Sequence, residues 1–197
     1  MARKHRQWFP GAIYHITNRG NRQAALFYDR YDWNKYLSLL EETRKMYPFY
    51  LHTYCLMSNH IHLQVETIDH HPQYMMKMLN THYALYFNKR YQVVGHVFQG
   101  RYGAKLIDTV SYHLKVSKYI HLNPLEANMV KSPDQYPWSS HAVYVSDRPS
   151  PHVTTENILS YFPDPKKEYY RRFVEDLPFP SVISKPILPV QDPTFTT

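Results

Sequence analysis

Hydrophobic residues follow two different periods along this chain. Alternating apolar and polar residues in some stretches, and short apolar runs in others, predict strands. The predicted strands cover residues 12–18, 49–57, 60–66 and 104–107. Apolar residues at helical spacing predict helices over residues 33–46, 73–90 and 109–122. Strands and helices therefore share one chain and follow one another in a regular order.

The ends of the predicted helices carry recognisable signals. Asp32 is expected to cap the first helix, and Pro48 follows its end. Asp108 or Thr109 is expected to cap the third helix. Because proline lacks an amide hydrogen, Pro124 is expected to terminate that helix.

The order strand, helix, strand, strand, helix, strand predicts an α+β fold of the ferredoxin-like, split βαβ type with an antiparallel sheet. The tight connection at Ser58 and Asn59 favours a hairpin between the middle strands. The third helix is an addition to this plan. We expect a main domain over residues 1–150 and a helical extension with a Pro-rich tail over 151–197. Residues 155–176 predict one or two short helices, and the five prolines from 178 onward predict an extended or disordered tail.

The distribution of charge favours a polyanionic partner. Lys and Arg outnumber Asp and Glu by 23 to 16, a net charge of +7, and residues 1–22 and 70–107 contain no acid at all. A solvated surface is the alternative for either segment alone. The 19 tyrosines add rings that can stack on unpaired bases beside these charges. The candidate DNA contacts are Arg3, Lys4, Arg6, Arg19, Arg22, Arg101 and Lys105.

Cysteine usage and hydropathy predict a cytoplasmic protein. Cys55 is the only cysteine and lies in an apolar run, so we expect a buried thiol and no intrachain disulfide. The first residues lack the apolar stretch of a secretory signal. No apolar run approaches the roughly 20 residues that span a bilayer, so no membrane partner is expected.

Two histidines of the third predicted strand are candidate metal ligands. Because side chains at positions i and i+2 of a strand point to the same face, His60 and His62 are expected to present both imidazoles together while Ile61 enters the core. A His-x-His pair alone is weak evidence, and structural histidines are the alternative. Magnesium or manganese fits phosphoryl chemistry best, and mixed nitrogen and oxygen ligands slightly favour manganese.

A tyrosine of the third predicted helix is the candidate nucleophile. Tyr119 shares a helix face with Asn123, whose side-chain oxygen is a candidate third ligand, although helix capping by Asn123 is the alternative. Tyr112 lies two turns earlier on the same face and is the rival nucleophile. A core tyrosine is the alternative role for Tyr119.

Five short motifs in order resemble those of the single-tyrosine HUH transposases, and most closely the REP-associated tyrosine transposase-like proteins. The two main ones are Cys-Leu-Met-Ser-Asn-His-Ile-His-Leu at 55–63 and Tyr-Ile-His-Leu-Asn-Pro-Leu-Glu-Ala-Asn at 119–128. The others are Tyr-His-Ile-Thr-Asn-Arg-Gly at 14–20, Phe-Gln-Gly-Arg-Tyr at 98–102 and Tyr-Pro-Trp-Ser-Ser at 136–140. The resemblance covers roughly residues 8–145.

The resemblance implies that Tyr119 attacks a phosphodiester of single-stranded DNA and forms a 5′-phosphotyrosine linkage, while His60 and His62 hold the divalent cation. It also implies a DNA hairpin as a partner. Ser58 stands where the family commonly has proline, and Asn123 stands where insertion-sequence members often have glutamine. The second departure leaves the third ligand open.

Two other functions remain open at this point. A non-catalytic nucleic-acid-binding regulator on the same fold would share the basic segments and the aromatic residues. A phosphoesterase that activates water would need a carboxylate, and Glu66 is the nearest one along the strand. The residues also leave open whether the chain acts as a monomer or as a homodimer.

Overall fold

A computed structural model of the chain describes residues 7–178. The strands are β1 (Ile13–Arg19), β2 (Phe49–Leu56), β3 (His60–Thr67) and β4 (Gly103–Ile107). The helices are α1 (Arg30–Met46), α2 (Pro72–Tyr91), α3 (Val110–Glu126), α4 (His141–Val145), α5 (Glu156–Leu159) and α6 (Lys166–Val174). The sheet has the order β2-β3-β1-β4, and every pairing is antiparallel. The predicted α+β, split βαβ architecture is confirmed.

One face of the sheet is apolar and packs against α1 and α2. Its strand residues include Tyr14 and Ile16 of β1 and Ile61, Leu63 and Val65 of β3, all nearly or fully buried. They share a single hydrophobic cluster with residues of the two helices, including Leu40, Met76, Leu79 and Tyr83. The apolar positions of the alternating pattern that predicted these strands are therefore the positions that face α1 and α2.

The opposite face is more polar, and α3 covers most of it. A smaller apolar cluster joins Ile13, Cys55 and Ile107 of the sheet to Val116 and Ile120 of α3. Cys55 is completely buried, as predicted, and burial raises the pKa of its thiol. The remaining side chains on this face are mainly histidines and hydrogen-bonding groups.

The cap of α1 is Asp29, so the prediction that Asp32 caps this helix is wrong. Asp29 accepts a hydrogen bond from the Tyr31 amide at 3.0 Å. Asp32 is fully buried and accepts hydrogen bonds from Tyr91 Oη at 2.7 Å and from Arg90 at 2.6 Å. Both partners come from α2, and a buried carboxylate needs such partners more than the helix end needs a cap.

The α3 helix continues through Pro124 to Glu126, so the predicted stop at Pro124 is also wrong. Thr109 caps the other end, where its hydroxyl accepts a hydrogen bond from the Tyr112 amide. Pro124 costs one backbone hydrogen bond, but the residue is buried and only two positions from the helix end, so packing outweighs the loss. Asn123 consequently lies inside the helix and not at its cap.

The C-terminal helices pack against α3. Tyr144 of α4, Ile158 of α5 and Tyr170 of α6 form a buried cluster with Leu114 of α3. Tyr170 Oη lies 2.8 Å from His121 Nδ1. Helices at 156–159 and 166–174 confirm the prediction for residues 155–176. The division at residue 150 stays a prediction.

The predicted tail falls almost entirely on residues 179–197, which lie outside the described residues. Within residues 7–178, no helix is both long and apolar enough to cross a bilayer.

Candidate active site

A cleft of about 390 Å³ opens at the end of the sheet where β1 finishes and β3 begins. Arg19 and His60 are paired across these two strands, so both strands meet at the cleft. Its walls are formed by Thr17, Asn18, Arg19, His60, Ile61, His62, Gln99, Arg101, Gly103 and Tyr119. Cationic, imidazole and phenol groups therefore surround one space.

Gly20, directly after β1, joins the end of this strand to the residue before β3 and also lies very close to the backbone of Ala24. Its amide donates to the Asn59 carbonyl at 2.8 Å, directly before β3. A Cβ at Gly20 would lie 2.0 Å from the Ala24 carbonyl oxygen, so no other residue fits there. The β2–β3 turn that carries His60 is thereby tied to β1.

The structure brings His60 and His62 together on the α3 side of β3. Their ring centroids are 5.1 Å apart, while Ile61 between them is fully buried on the other side. His60 Nδ1 lies 2.7 Å from Asn59 Oδ1, and His62 Nδ1 lies 3.0 Å from His15 Nε2. In both rings the second nitrogen, Nε2, is the one left for a ligand.

Tyr119 of α3 lies beside these histidines. Its ring centroid is 5.4 Å from that of His62 and 5.8 Å from that of His15. Its side chain is 43% exposed, so the phenol can be reached from solvent. The rival Tyr112 does not line the cleft, and Lys105 Nζ lies 4.6 Å from the centroid of its ring.

Asn123 lies one helical turn after Tyr119 and faces His60. Its Nδ2 donates to the Tyr119 carbonyl oxygen at 2.8 Å, which turns Oδ1 the other way. The Asn123 side chain raises the pKa of His60, an effect smaller than the lowering by burial. The three residues predicted from the sequence as metal ligands are therefore neighbours in the fold.

The imidazoles at the cleft are neutral at physiological pH. Burial, and then the positive charge of Lys105, lowers the pKa of His15 to about 4. Burial, followed by His15, His60 and Arg19, lowers the pKa of His62 to about 3. Burial also lowers the pKa of His60. Neutral imidazole is the form that binds a metal ion.

The donor set fits a small divalent cation only in part. Two imidazole nitrogens and one carboxamide oxygen match the mixed ligands that manganese accepts. Within the described part of the chain, no group of three or more His, Cys, Asp or Glu side chains is arranged to hold a metal. The candidate donors of this site are therefore two neutral imidazoles and one carboxamide, without a carboxylate.

The predicted basic contacts fall into three groups. Arg19 and Arg101 line the cleft. Arg22 and Lys105 are exposed, and Lys105 is paired with His15 across β1 and β4. The remaining three, Arg3, Lys4 and Arg6, lie outside the described residues.

Glu66 is too far along β3 to serve the cleft. It pairs with Ile13 at the opposite end of the sheet from His60, and its carboxylate lies 2.8 Å from His52 Nε2. The carboxylate that a water-activating phosphoesterase would need is therefore engaged elsewhere.

Sequence reasoning missed His15, Thr17, Gln99 and Gly103 as parts of the site. The alternation in β1 already placed His15 and Thr17 on the face opposite Tyr14 and Ile16. Without the strand register, however, that face could not be matched with the histidine face of β3.

Comparison with known proteins gave one family and several structures. The family model for "Transposase IS200 like" matches residues 9–123. A solved REP-associated tyrosine transposase bound to a REP hairpin is similar, with a TM-score of 0.64 and 17% identity over 74% of this chain and 86% of that chain. A Deinococcus radiodurans R1 protein described as a candidate transposase has a TM-score of 0.41 and 13% identity over 60% of this chain and 95% of that chain. No curated protein matches the chain. The first of these structures shares the fold.

Proposed function

We propose a reaction for this chain from the premise that it belongs to the IS200-like transposase family and is therefore a DNA transposase. In this proposal Tyr119 cuts and rejoins single-stranded DNA through a covalent tyrosine intermediate. The observation that carries it is the position of the half-exposed Tyr119 ring against His62, in one cleft with His60.

The step exchanges one phosphate ester for another. The Tyr119 oxygen attacks the phosphorus, a bond forms between them, and the bond from phosphorus to the 3′ oxygen breaks. The phenol proton passes to solvent, and the departing 3′ oxygen takes up a proton. The downstream strand is then linked to Tyr119 through its 5′ phosphate. A 3′-hydroxyl can reverse the exchange and join strands, with no other energy source.

His60, His62 and Asn123 are the residues that hold the divalent cation, Mg²⁺ or Mn²⁺, in this proposal. When bound, the cation supplies Lewis-acid polarisation of the phosphoryl oxygens. Asn123 donates its Nδ2 hydrogen to the carbonyl oxygen of Tyr119. This hydrogen bond connects a proposed metal ligand directly to the residue that carries the nucleophile. One chain carries both the histidines and Tyr119.

Single-stranded or hairpin DNA is the proposed partner. The similar solved protein is bound to a REP hairpin. Arg19 and Arg101 line the cleft and can pair with phosphates, and Gln99 adds a hydrogen-bonding side chain beside them. The exposed ring of Tyr119 and the charges of Arg22 and Lys105 lie outside the apolar core, where a flexible strand can reach them.

The test is the trapping of the covalent intermediate. The protein is incubated with Mn²⁺ and a pool of single-stranded oligonucleotides with a randomised centre, some with an added hairpin, each labelled at its 3′ end. The label is placed there because the adduct keeps the downstream fragment. We expect a labelled protein band on a denaturing gel, and its loss in Tyr119→Phe.

Tyr112→Phe is the matched control because Tyr112 is on the same helix but not in the cleft. It should form the adduct as the wild type does. An adduct that persists in Tyr119→Phe, or one that disappears in Tyr112→Phe alone, contradicts the assignment. No adduct in any variant, with DNA still bound, favours a non-catalytic nucleic-acid-binding protein.

A further inference from the structure

The two candidate metal-binding histidines are held in the same way, each through its Nδ1 atom. Asn59 Oδ1 lies 2.7 Å from His60 Nδ1. Asn59 Nδ2 donates to the Gln23 carbonyl at 3.2 Å, which fixes the direction of the amide. A carboxamide oxygen only accepts, so His60 carries its proton on Nδ1 and has a lone pair on Nε2.

His62 needs the same arrangement, and His15 is the residue that supplies it. His15 Nε2 lies 3.0 Å from His62 Nδ1, and the two ring planes are inclined by 26° with their centroids 5.2 Å apart. His62 can offer Nε2 to a cation only if Nδ1 carries the proton, and that proton needs an acceptor. His15 Nε2 is the atom in position to accept it.

The strand register explains why His15 can do this. His62 is paired with Thr17, and His15 is paired with Gln64, so the two histidines are diagonal neighbours on adjacent strands. The ring of His15 also contacts the edge of the Tyr119 ring, with 5.8 Å between centroids. One side chain therefore touches both the candidate ligand and the candidate nucleophile.

We propose that His15 is a positioning residue that accepts the Nδ1 hydrogen of His62, fixes the His62 ring and directs its Nε2 lone pair into the cleft. This role rests on the proposed function, because it assumes that His62 binds the cation. In this arrangement His15 does not itself bind the cation, since its Nε2 accepts from His62 and its own proton is then on Nδ1. The acceptor for the Nδ1 hydrogen is thus a side-chain amide in the case of His60 and a second imidazole in the case of His62.

The first measurement needs no substrate and no metal. Long-range proton–nitrogen correlation spectra of protein labelled with ¹⁵N-histidine reveal which ring nitrogen carries the proton, and the His62 signals are assigned by their loss in His62→Ala. At pH 7.5 we expect the His62 proton on Nδ1 in the wild type. We expect it to move substantially to Nε2 in His15→Phe, which keeps a ring but has no acceptor. A wild-type His62 proton on Nε2 would overturn the proposal, whether or not His15→Phe folds.

The second measurement is Mn²⁺ affinity by calorimetry in the absence of DNA. Loss of an outer partner of a ligand weakens metal binding by about tenfold to 100-fold, which is the change expected for His15→Phe. His15→Gln should bind nearly as well as the wild type, because its Oε1 can accept the same hydrogen. His96→Phe, at an exposed histidine, is the matched control and should change nothing. Equal affinity in the wild type and His15→Phe, or no Mn²⁺ binding by the wild type, contradicts the proposal.

The two proposals fail in different ways. If the His62 tautomer and Mn²⁺ affinity respond as expected but no variant forms a DNA adduct, the reaction assigned to Tyr119 is wrong and the role of His15 stands. If the adduct forms and depends on Tyr119, while His15→Phe leaves the tautomer and the affinity unchanged, the role of His15 is wrong and the reaction stands.

Discussion

The two faces of the four-stranded sheet are built from alternate residues of the same strands, yet they are stabilised differently. The face under α1 and α2 is closed by apolar side chains such as Ile61 and Leu63. The face under α3 carries His62 and Gln64 from the same strand. An apolar face needs only to be packed, whereas each polar group on the other face needs a partner or access to water.

The polar face itself differs between its two ends. At the covered end, Gln64 accepts from Thr53 Oγ1 at 2.7 Å, and its Nε2 lies 2.9 Å from both His113 Nδ1 and the His113 carbonyl oxygen. At the uncovered end, His60 and Tyr119 open to the cleft. At the covered end the polar side chains are satisfied by hydrogen bonds within the protein. At the open end His60 and Tyr119 face the cleft, where a ligand can reach them. Stability and reactivity therefore occupy opposite ends of one surface.

Acid should have the largest effect on the stability of the α3 side of the sheet, because the described histidines with a clearly lowered pKa all lie on that side. They are His15, His60, His62, His113, His121 and His141. Burial is the main cause in each case. In each case the folded protein stays neutral over a range of pH below 6.5, where the histidines of the unfolded chain take up protons. Stability is therefore complete above pH 6.5 and falls as the pH drops toward the folded-state pKa values.

His141 gives the single-residue version of this test. It is fully buried with no hydrogen-bond partner for either ring nitrogen among the described residues, and burial lowers its pKa to about 4. Between pH 7.5 and pH 5 its share of the loss is about 2 kcal/mol, from 1.36 kcal/mol per pKa unit. His141→Phe should reduce the acid sensitivity of urea unfolding by that amount. His96→Phe, at an exposed site, should leave it unchanged, and equal pH profiles for all three proteins would contradict the pKa assignment.

Two adjacent residues of β3 test the division between the faces directly. Ile61→Ala removes a fully buried side chain from the apolar cluster and should lower the free energy of unfolding by about 2 to 5 kcal/mol. His60→Ala, one position away and partly exposed, should cost about 1 kcal/mol or less while abolishing Mn²⁺ binding and the DNA adduct. Urea unfolding, calorimetry and the adduct assay measure these effects. A stability loss in His60→Ala as large as that in Ile61→Ala would show that both faces are structural.

The sequence predicted the apolar face and the two central histidines because both depend on local alternation. It could not predict what depends on contacts between distant segments. Asp32 was expected as a cap, but its partners Arg90 and Tyr91 come from another helix. Pro124 was expected as a stop, but packing carries α3 past it. The role of His15 needed the register between β1 and β3, which no local pattern contains.

The smallest expected effect concerns how closely β1 and β4 approach at the open end. A Cβ added to Gly103 would lie 2.6 Å from Thr17 Oγ1 but 3.9 Å from Thr17 Cβ, so the hydroxyl is the obstacle and the methine is not. Gly103→Ala should therefore lower the free energy of unfolding by about 1 kcal/mol. In the Thr17→Ala background the same change should cost almost nothing, because the clashing atom is gone. Urea unfolding of the four proteins of this cycle gives the coupling between the two positions, and simple additivity would mean that the clash with Thr17 does not explain glycine at position 103.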